Sequence, residues 1–114
     1  MAIELKKNGS SIIILLPERI DMILSASIEK ELYDIFQREK DCSFIMNMEK
    51  VQVLSSSGLR IFITAKRKLR EQNREIVLCS INDEGIRDTF TVSRLFDVIR
   101  VFTSEEEELQ ALSQ

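Results

Sequence analysis

The sequence predicts an α/β fold in which a mixed, mostly parallel sheet of four to five strands is combined with about four helices. The first reason is that apolar, β-rich segments alternate with amphipathic helical segments, an order typical of parallel strands joined by right-handed crossovers. The second is that Asn8-Gly9, a dipeptide typical of tight hairpin turns, separates the first two β-rich segments and so adds one antiparallel pair. The third is the length of 114 residues, which suits one domain, so we expect a single domain over residues 1–114.

The N-terminal half is expected to contain the hairpin, a helix and a central strand. Residues 3–16 form the hairpin, and its second strand is continuously apolar and therefore more buried. After Pro17 the chain leads to a helix whose N-cap is Ser25 or Ser27. The segment Phe44–Met48 is apolar enough for a central strand. The helix has one apolar face, made of Ile28, Leu32, Ile35 and Phe36.

The C-terminal half continues the alternation of helices and strands. A second helix is expected to run from after Ser57 to about Gln72, and Asn73 can supply the left-handed turn that ends it. The remaining elements are, in order, a strand over Glu75–Ile81, a short helix capped by Asn82 or Asp83, a strand over Val98–Phe102 and a terminal helix over Ser104–Leu112.

The composition argues against an enzyme and against a cofactor. The chain contains no histidine, which removes Ser-His-Asp and Cys-His catalytic arrangements and the common zinc sites. Its two cysteines, Cys42 and Cys79, lack Cys-x-x-Cys spacing and lie in apolar segments, so we interpret both as small core residues. We expect a protein that is not an enzyme and that binds no metal and no cofactor.

No segment is apolar for long enough to span a bilayer. The longest apolar run, Ile12–Leu16, is far shorter than the roughly 20 residues of a membrane helix. The chain also lacks a charged start followed by an apolar signal core. We therefore expect no membrane insertion and a cytoplasmic location.

The second predicted helix is rich in basic residues. The net charge of −3, together with the lack of a nucleic-acid-binding motif and of interleaved aromatic residues, argues against a nucleic-acid partner. We interpret the basic stretch as a solvated helix face, for which an acidic protein surface is the favoured target if it binds anything. The basic residues are Arg60, Lys66, Arg67, Lys68, Arg70 and, just after the helix, Arg74.

Three serines and a glycine stand where the second helix is expected to begin, within residues 51–60. One interpretation is structural, with Ser56 or Ser57 as the N-cap and Gly58 allowing a tight turn. The other is that one serine accepts a phosphate, because the first amides of a helix lack backbone partners and the helix dipole makes them mildly positive. The local sequence permits both.

The segment Leu54-Ser-Ser-Ser-Gly-Leu59 resembles the Asp-Ser-Ser/Ala-Gly-Leu loop of STAS domains, the anti-sigma factor antagonist family typified by SpoIIAA. In that family the phosphorylated residue stands two places before the glycine, which implies Ser56 here, with Ser55 and Ser57 as alternatives. Ser55 stands where the family has an acidic residue. The resemblance covers essentially the whole chain and implies a STAS-type fold.

Two further segments carry the resemblance. The segment Glu18–Asp21 stands where the family has a Gly-Glu-hydrophobic-Asp sequence that helps to meet the partner, and it keeps the hydrophobic position and the aspartate. The resemblance implies a partner contact for Asp21, although an aspartate here also suits a solvated or capping position in a turn. The segment Thr91–Ile99 matches the family's Ser-Gly-Leu-Phe region, with Arg94 in place of glycine.

The resemblance implies an anti-sigma factor antagonist that regulates transcription in a bacterial partner-switching system. The implied partner is an anti-sigma factor with serine kinase activity, and a serine phosphatase is a second candidate partner. The unphosphorylated protein is expected to bind, and phosphate on Ser56 is expected to weaken binding. The implied partner-binding residues are Asp21, Ser55, Ser56, Ser57 and Gly58.

Three other functions compete with this one. A STAS adaptor subunit of a larger regulatory or transport complex, without phosphorylation, is favoured by Ser55 in place of the acidic residue. A nucleotide-responsive domain is disfavoured because the chain has no Gly-x-x-x-x-Gly-Lys-Ser/Thr loop. A phospho-receiver needs acidic residues at its strand ends, where this chain has Asn47, Leu54 and Ser80.

Overall fold

The structure is a computed structural model that describes residues 3–105. Within that range the chain forms seven strands, three α-helices and one 3-10 turn. In chain order they are β1 (Glu4–Asn8), β2 (Ser11–Leu15), β3 (Arg19–Ile20), α1 (Met22–Arg38), β4 (Ser43–Asn47), β5 (Val53–Leu54), α2 (Ser56–Glu71), β6 (Ile76–Cys79), α3 (Glu84–Val92), the 3-10 turn (Leu95–Asp97) and β7 (Val101–Phe102).

Five of these strands form the main sheet, in the order β1-β2-β4-β6-β7. β1 runs antiparallel to β2, and the other neighbouring pairs are parallel. Gly9 lies in the β1-β2 turn at φ +63°, a conformation that glycine adopts without a steric penalty. The predicted mixed, mostly parallel sheet is confirmed. Three of the predicted helices are present, and the fourth, over Ser104–Leu112, lies outside the described residues apart from its first two positions.

Both faces of the central strands are buried, which explains their continuous apolar sequences. On one face, apolar residues of α1, α2 and α3 pack against the sheet residues Ile12, Ile14, Phe44, Met46, Ile76 and Leu78. On the opposite face, a second buried cluster contains Ile13, Ile45, Val77 and Cys79. Cys79 is buried and Cys42 is half-buried, and the two are not joined in a disulfide, in agreement with their interpretation as core residues.

The first helix begins earlier than the sequence predicts. The predicted N-caps are Ser25 and Ser27, but the N-cap is Asp21, whose Oδ1 accepts a hydrogen bond from the Leu24 amide at 2.9 Å. The hydroxyls of Ser25 and Ser27 instead donate to carbonyls three residues earlier, within the helix. Aspartate is a preferred N-cap, and Leu24 lies one turn before Ile28, so the helical pattern extends back to Asp21.

The ends of the next two helices agree with the sequence more closely. Asn73 follows α2 at φ 57°, the predicted left-handed conformation. The N-cap of α3 is Asp83, one of the two predicted caps, and its Oδ1 accepts a hydrogen bond from the Ile86 amide at 3.0 Å.

The last predicted strand, Val98–Phe102, is shorter in the structure. Only Val101 and Phe102 pair with β6, because the amides of Val98 and Ile99 instead donate to the Leu95 carbonyl of the 3-10 turn. Arg94 adopts φ 62°, the left-handed conformation in which glycine has no Cβ penalty. The bend is therefore retained although arginine replaces glycine.

Candidate protein-binding site

Two short strands bring together the segments that the sequence singles out. β3 and β5 form a separate parallel pair in which Ile20 lies opposite Leu54. The Ile20 carbonyl accepts hydrogen bonds from the Ser55 amide at 2.9 Å and from the Ser55 Oγ at 3.2 Å. As a result, Asp21 at the start of α1 and the serine segment (Ser55–Gly58) at the start of α2 lie side by side.

Ser55 is the N-cap of α2, whereas the sequence predicts Ser56 or Ser57. Its backbone is extended, with φ −85° and ψ 171°, and its Oγ accepts a hydrogen bond from the Gly58 amide at 3.2 Å. The same hydroxyl donates to the Ile20 carbonyl. Any of three adjacent serines can cap a helix, and this tertiary hydrogen bond selects the first of them.

The three serines differ in the accessibility of their hydroxyls. Ser56, the first residue of α2, is exposed, and its side chain makes no hydrogen bond with the residues that the structure describes. Ser55 is half-buried and its hydroxyl is already engaged. Ser57 is half-buried and lines a groove of about 200 Å³ between α1 and α2, with Ser25, Ala26, Glu29, Arg60 and Ile61. Ser56 is therefore the serine most accessible to a modifying enzyme.

Gly58 is required for a different reason from the predicted tight turn. It lies within α2, and it is not among the residues between 3 and 105 that have a positive φ. A Cβ at this position would lie 2.6 Å from Leu54 Cδ1, 2.8 Å from Ile20 Cγ2 and 3.0 Å from the Ile20 carbonyl oxygen. The missing side chain lets the start of α2 approach β3 and β5 closely.

Asp21 has the capping role that its residue type suits. The hydrogen bond from the Leu24 amide lowers the pKa of its carboxyl below the ordinary value, and the nearby Arg19 guanidinium lowers it further. The Arg19 Nε lies 3.5 Å from Asp21 Oδ2. The carboxylate is thus ionised and held at the edge of the serine segment.

Two exposed apolar residues at this site are missed by the sequence prediction. Met22 and Ile23, in the first turn of α1, are 75% and 85% exposed. They directly follow Asp21. The helical period could have predicted their exposure, because at that period Met22 and Ile23 fall outside the apolar face that runs from Leu24 through Ile28. Exposed apolar side chains beside polar ones are typical of protein-binding surfaces.

Residues 3–105 contain neither a cluster of metal ligands nor a membrane-spanning helix. No group of three His, Cys, Asp or Glu side chains in that range is arranged to hold a metal ion. None of the helices described there has the length and apolar character needed to cross a membrane. The site itself consists of hydroxyls, one carboxylate and exposed apolar side chains.

A family profile described as the STAS domain matches residues 2–108. The chain belongs to the STAS domain family. Among its relatives, the anti-sigma-B factor antagonist of Listeria monocytogenes is 27% identical over 97 residues, which cover 79% of this chain and 84% of the relative. The solved structure of the anti-sigma factor antagonist SpoIIAA in its unphosphorylated form is 20% identical, with a TM-score of 0.80, and the match covers 98% of this chain and 96% of that chain. The phosphorylated form of the Bacillus cell fate determinant SpoIIAA is also 20% identical, with a TM-score of 0.73, covering 97% of this chain and 99% of that chain.

In this STAS domain, Ser55 occupies the position at which the family motif has an acidic residue. Serine and aspartate both accept the hydrogen bond that an N-cap must accept. The Ser55 hydroxyl does so from Gly58. The substitution therefore keeps the cap of α2 and removes one negative charge next to Ser56.

We expect Ser55→Ala to lower the free energy of unfolding of this STAS domain by about 1 kcal/mol, because the Gly58 amide loses its acceptor. Ser55→Asp should recover only part of that loss, since a carboxylate also caps and is favoured by the helix dipole but cannot donate to the Ile20 carbonyl as the Ser55 hydroxyl does. Urea unfolding of both variants checks the prediction, with Ser57→Ala as the control. An unchanged stability of Ser55→Ala would show that the cap contributes nothing.

Proposed function

We propose that this STAS domain is an anti-sigma factor antagonist in a bacterial partner-switching system. In its unphosphorylated form it binds an anti-sigma factor that has serine kinase activity, and this frees a sigma factor for transcription. Phosphate on Ser56 weakens binding, and a serine phosphatase restores it. The protein acts in the cytoplasm by binding rather than by catalysis, through one domain.

The observation that carries this proposal is the position of Ser56. Its side chain is exposed on the first turn of α2 and unengaged by the described residues, next to a segment that also presents Asp21 and the exposed Met22 and Ile23. Similarity to anti-sigma factor antagonists supports the same role. The proposed partner-binding residues are Asp21, Ser55, Ser56, Ser57 and Gly58.

The other two serines are poorer phosphoacceptors on structural grounds. A phosphate on Ser55 would break the hydrogen bonds to the Ile20 carbonyl and from the Gly58 amide. A phosphate on Ser57 would have to fit into the groove between α1 and α2. Either modification would disturb the fold, whereas one on Ser56 would project into solvent.

Phosphate at Ser56 affects the free protein and the complex differently. In the free protein, the amides and dipole at the start of α2 favour a negative group. In a complex, the same group carries about two negative charges into a surface that loses its water, which is unfavourable without a partner cation. Phosphorylation therefore leaves the free protein folded but lowers its affinity for the partner.

We expect Ser56→Asp to weaken binding to the cognate anti-sigma factor by at least about tenfold, because it places a fixed negative charge in the interface. Ser56→Ala should bind like the unmodified protein and should not be phosphorylated. Isothermal titration calorimetry against each purified anti-sigma factor encoded in the source genome measures both. Ser10→Asp is the matched control, since Ser10 is exposed in the β1-β2 turn at the opposite end of the sheet. Equal affinities for Ser56→Asp and Ser10→Asp would contradict the proposal.

A STAS adaptor that is never phosphorylated is the second candidate, favoured by the neutral Ser55 beside Ser56. Phosphopeptide mass spectrometry of the protein from its own cells distinguishes the two functions. Phosphate at Ser56 that changes with growth conditions supports the switch. Complete absence of phosphate, with the serine segment well covered, supports the adaptor.

A further inference from the structure

The solvent-facing side of α2 carries a stripe of arginines with an apolar residue at its centre. Its members recur at helical spacing and all are exposed, with Ile63 42% exposed. From first to last they extend over roughly 21 Å at the ordinary rise of a helix. We call this the α2 stripe, and it consists of Ser56, Arg60, Ile63, Arg67 and Arg70.

The arginines of the α2 stripe form no ion pair or hydrogen bond through their side chains with any residue between 3 and 105. Two other cations of the helix are engaged within the protein. Lys66 Nζ lies 3.9 Å from Glu75 Oε2, and Lys68 Nζ lies 5.0 Å from the centre of the Tyr33 ring. Arg60, Arg67 and Arg70 are exposed, although Arg67 also lies near enough to Tyr33 to interact with it electrostatically.

The positive face is a local feature that the overall charge does not explain. The chain has a net charge of −3, yet the α2 stripe carries three positive charges on one face of one helix. Arginine is enriched at protein interfaces, and an exposed Ile63 between Arg60 and Arg67 adds an apolar contact point. The stripe has no aromatic residue of the kind that single-stranded nucleic acid stacks against.

Resting on the proposed function, we infer that the α2 stripe binds an acidic surface of the anti-sigma factor, with an apolar contact at Ile63. Charge complementarity specifies the partner's chemistry: carboxylates spaced along about 20 Å, facing arginines that form no ion pair with residues 3–105. The stripe begins at Ser56 itself, so it is continuous with the proposed binding site. It extends that site from the start of α2 to its last turn.

This arrangement gives the phosphate on Ser56 a direct electrostatic effect. Ser56 and Arg60 are four residues apart on the helix and therefore neighbours on its surface. A phosphate with about two negative charges would pair with the Arg60 guanidinium and would repel the partner's carboxylates. Phosphorylation would thus reverse the charge at one end of the stripe without refolding the domain.

The test compares charge reversals on and off the stripe. Arg60→Glu and Arg67→Glu change residues of the stripe, and Arg38→Glu makes the same change of charge at an exposed position in the last turn of α1. Affinity for the anti-sigma factor identified by calorimetry is measured from low to high salt. We expect each stripe variant to bind at least about tenfold more weakly and to show a shallower salt dependence. Arg38→Glu should stay within about twofold, the residual effect of net charge.

Each outcome supports or overturns the inference. If the unmodified protein binds no anti-sigma factor, the proposed function fails and the inference fails with it. If the unmodified protein binds and the stripe variants bind equally well, only the inference is overturned. It is also overturned if the stripe variants lose affinity for a double-stranded DNA of random sequence but keep their affinity for the anti-sigma factor. All three positions are exposed, so each variant is expected to fold, and circular dichroism checks this.

Discussion

Replacing Arg74 by methionine is expected to lower the free energy of unfolding by about 2 kcal/mol, because three partly buried backbone acceptors lose their donor. The Arg74 guanidinium donates to the carbonyls of Phe36 at 2.9 Å and Cys42 at 3.3 Å, and also to the carbonyl of Glu39. The carbonyls of Phe36 and Glu39 belong to the end of α1, where the last carbonyls have no partner within the helix. The guanidinium also lies 5.0 Å from the centre of the Phe44 ring, so it fastens α1 to the sheet.

Urea denaturation measures the effect, and two variants make the comparison specific. Arg70→Met removes an arginine of α2 that has no ion pair with the described residues, and it should change stability by less than about 0.5 kcal/mol. Arg74→Lys keeps the charge but presents an ammonium in place of the planar fork that reaches several acceptors, so it should recover only part of the loss. If Arg74→Met is no less stable than Arg70→Met, the hydrogen bonds to α1 contribute nothing to stability.

The role of Arg74 is invisible in the sequence, where it is the last member of a basic stretch. Apart from Gln72 Oε1, its acceptors are backbone carbonyls from 32 to 38 residues away. Every residue has a backbone carbonyl, so a sequence pattern cannot show which of them accepts a hydrogen bond. Basic residues along that stretch take three roles. Some form the α2 stripe, two lysines interact with residues of the protein, and Arg74 fastens α1 to the sheet. In the sequence all of them are simply Lys or Arg. Only tertiary structure separates them.

Local chemistry, in contrast, predicts much of the architecture. Asn8-Gly9 correctly predicts the hairpin but not its turn: a type I′ turn centred on these two residues is wrong, because Asn8 pairs with Ser11 and the turn residues are Gly9 and Ser10, of which only Gly9 has a positive φ. The apolar faces of α1 and α2 are long enough for their period to be clear. The small β3-β5 pair has only two residues in each strand, too few to show any period, so the sequence places Glu18–Asp21 in a loop. Ser55 is missed as the N-cap because its selection depends on the Ile20 carbonyl, which is distant in sequence.

Gly58→Ala is expected to lower the free energy of unfolding by about 2 kcal/mol, although alanine is intrinsically the better helix residue by about 1 kcal/mol. The new methyl group would meet Leu54 Cδ1 at 2.6 Å, Ile20 Cγ2 at 2.8 Å and the Ile20 carbonyl oxygen at 3.0 Å. A leucine methyl can move aside, but the carbonyl is held by two hydrogen bonds from Ser55. The substitution therefore has to displace β3 from the start of α2.

Gly85→Ala provides a matched control, because Gly85 also lies in the first turn of a helix and its added methyl group would meet only the Asp83 carboxylate, at 3.1 Å. We expect that variant to stay within about 0.5 kcal/mol of the wild type in urea unfolding. Adding Leu54→Ala to Gly58→Ala removes the nearest obstacle, so the double variant should be more stable than the sum of the single effects predicts. Strict additivity would mean that the two side chains do not collide. Favourable coupling would mean that close packing of β5 against α2 excludes a side chain at position 58. The same packing would then hold Asp21 and the serine segment, the proposed partner-binding residues, next to each other.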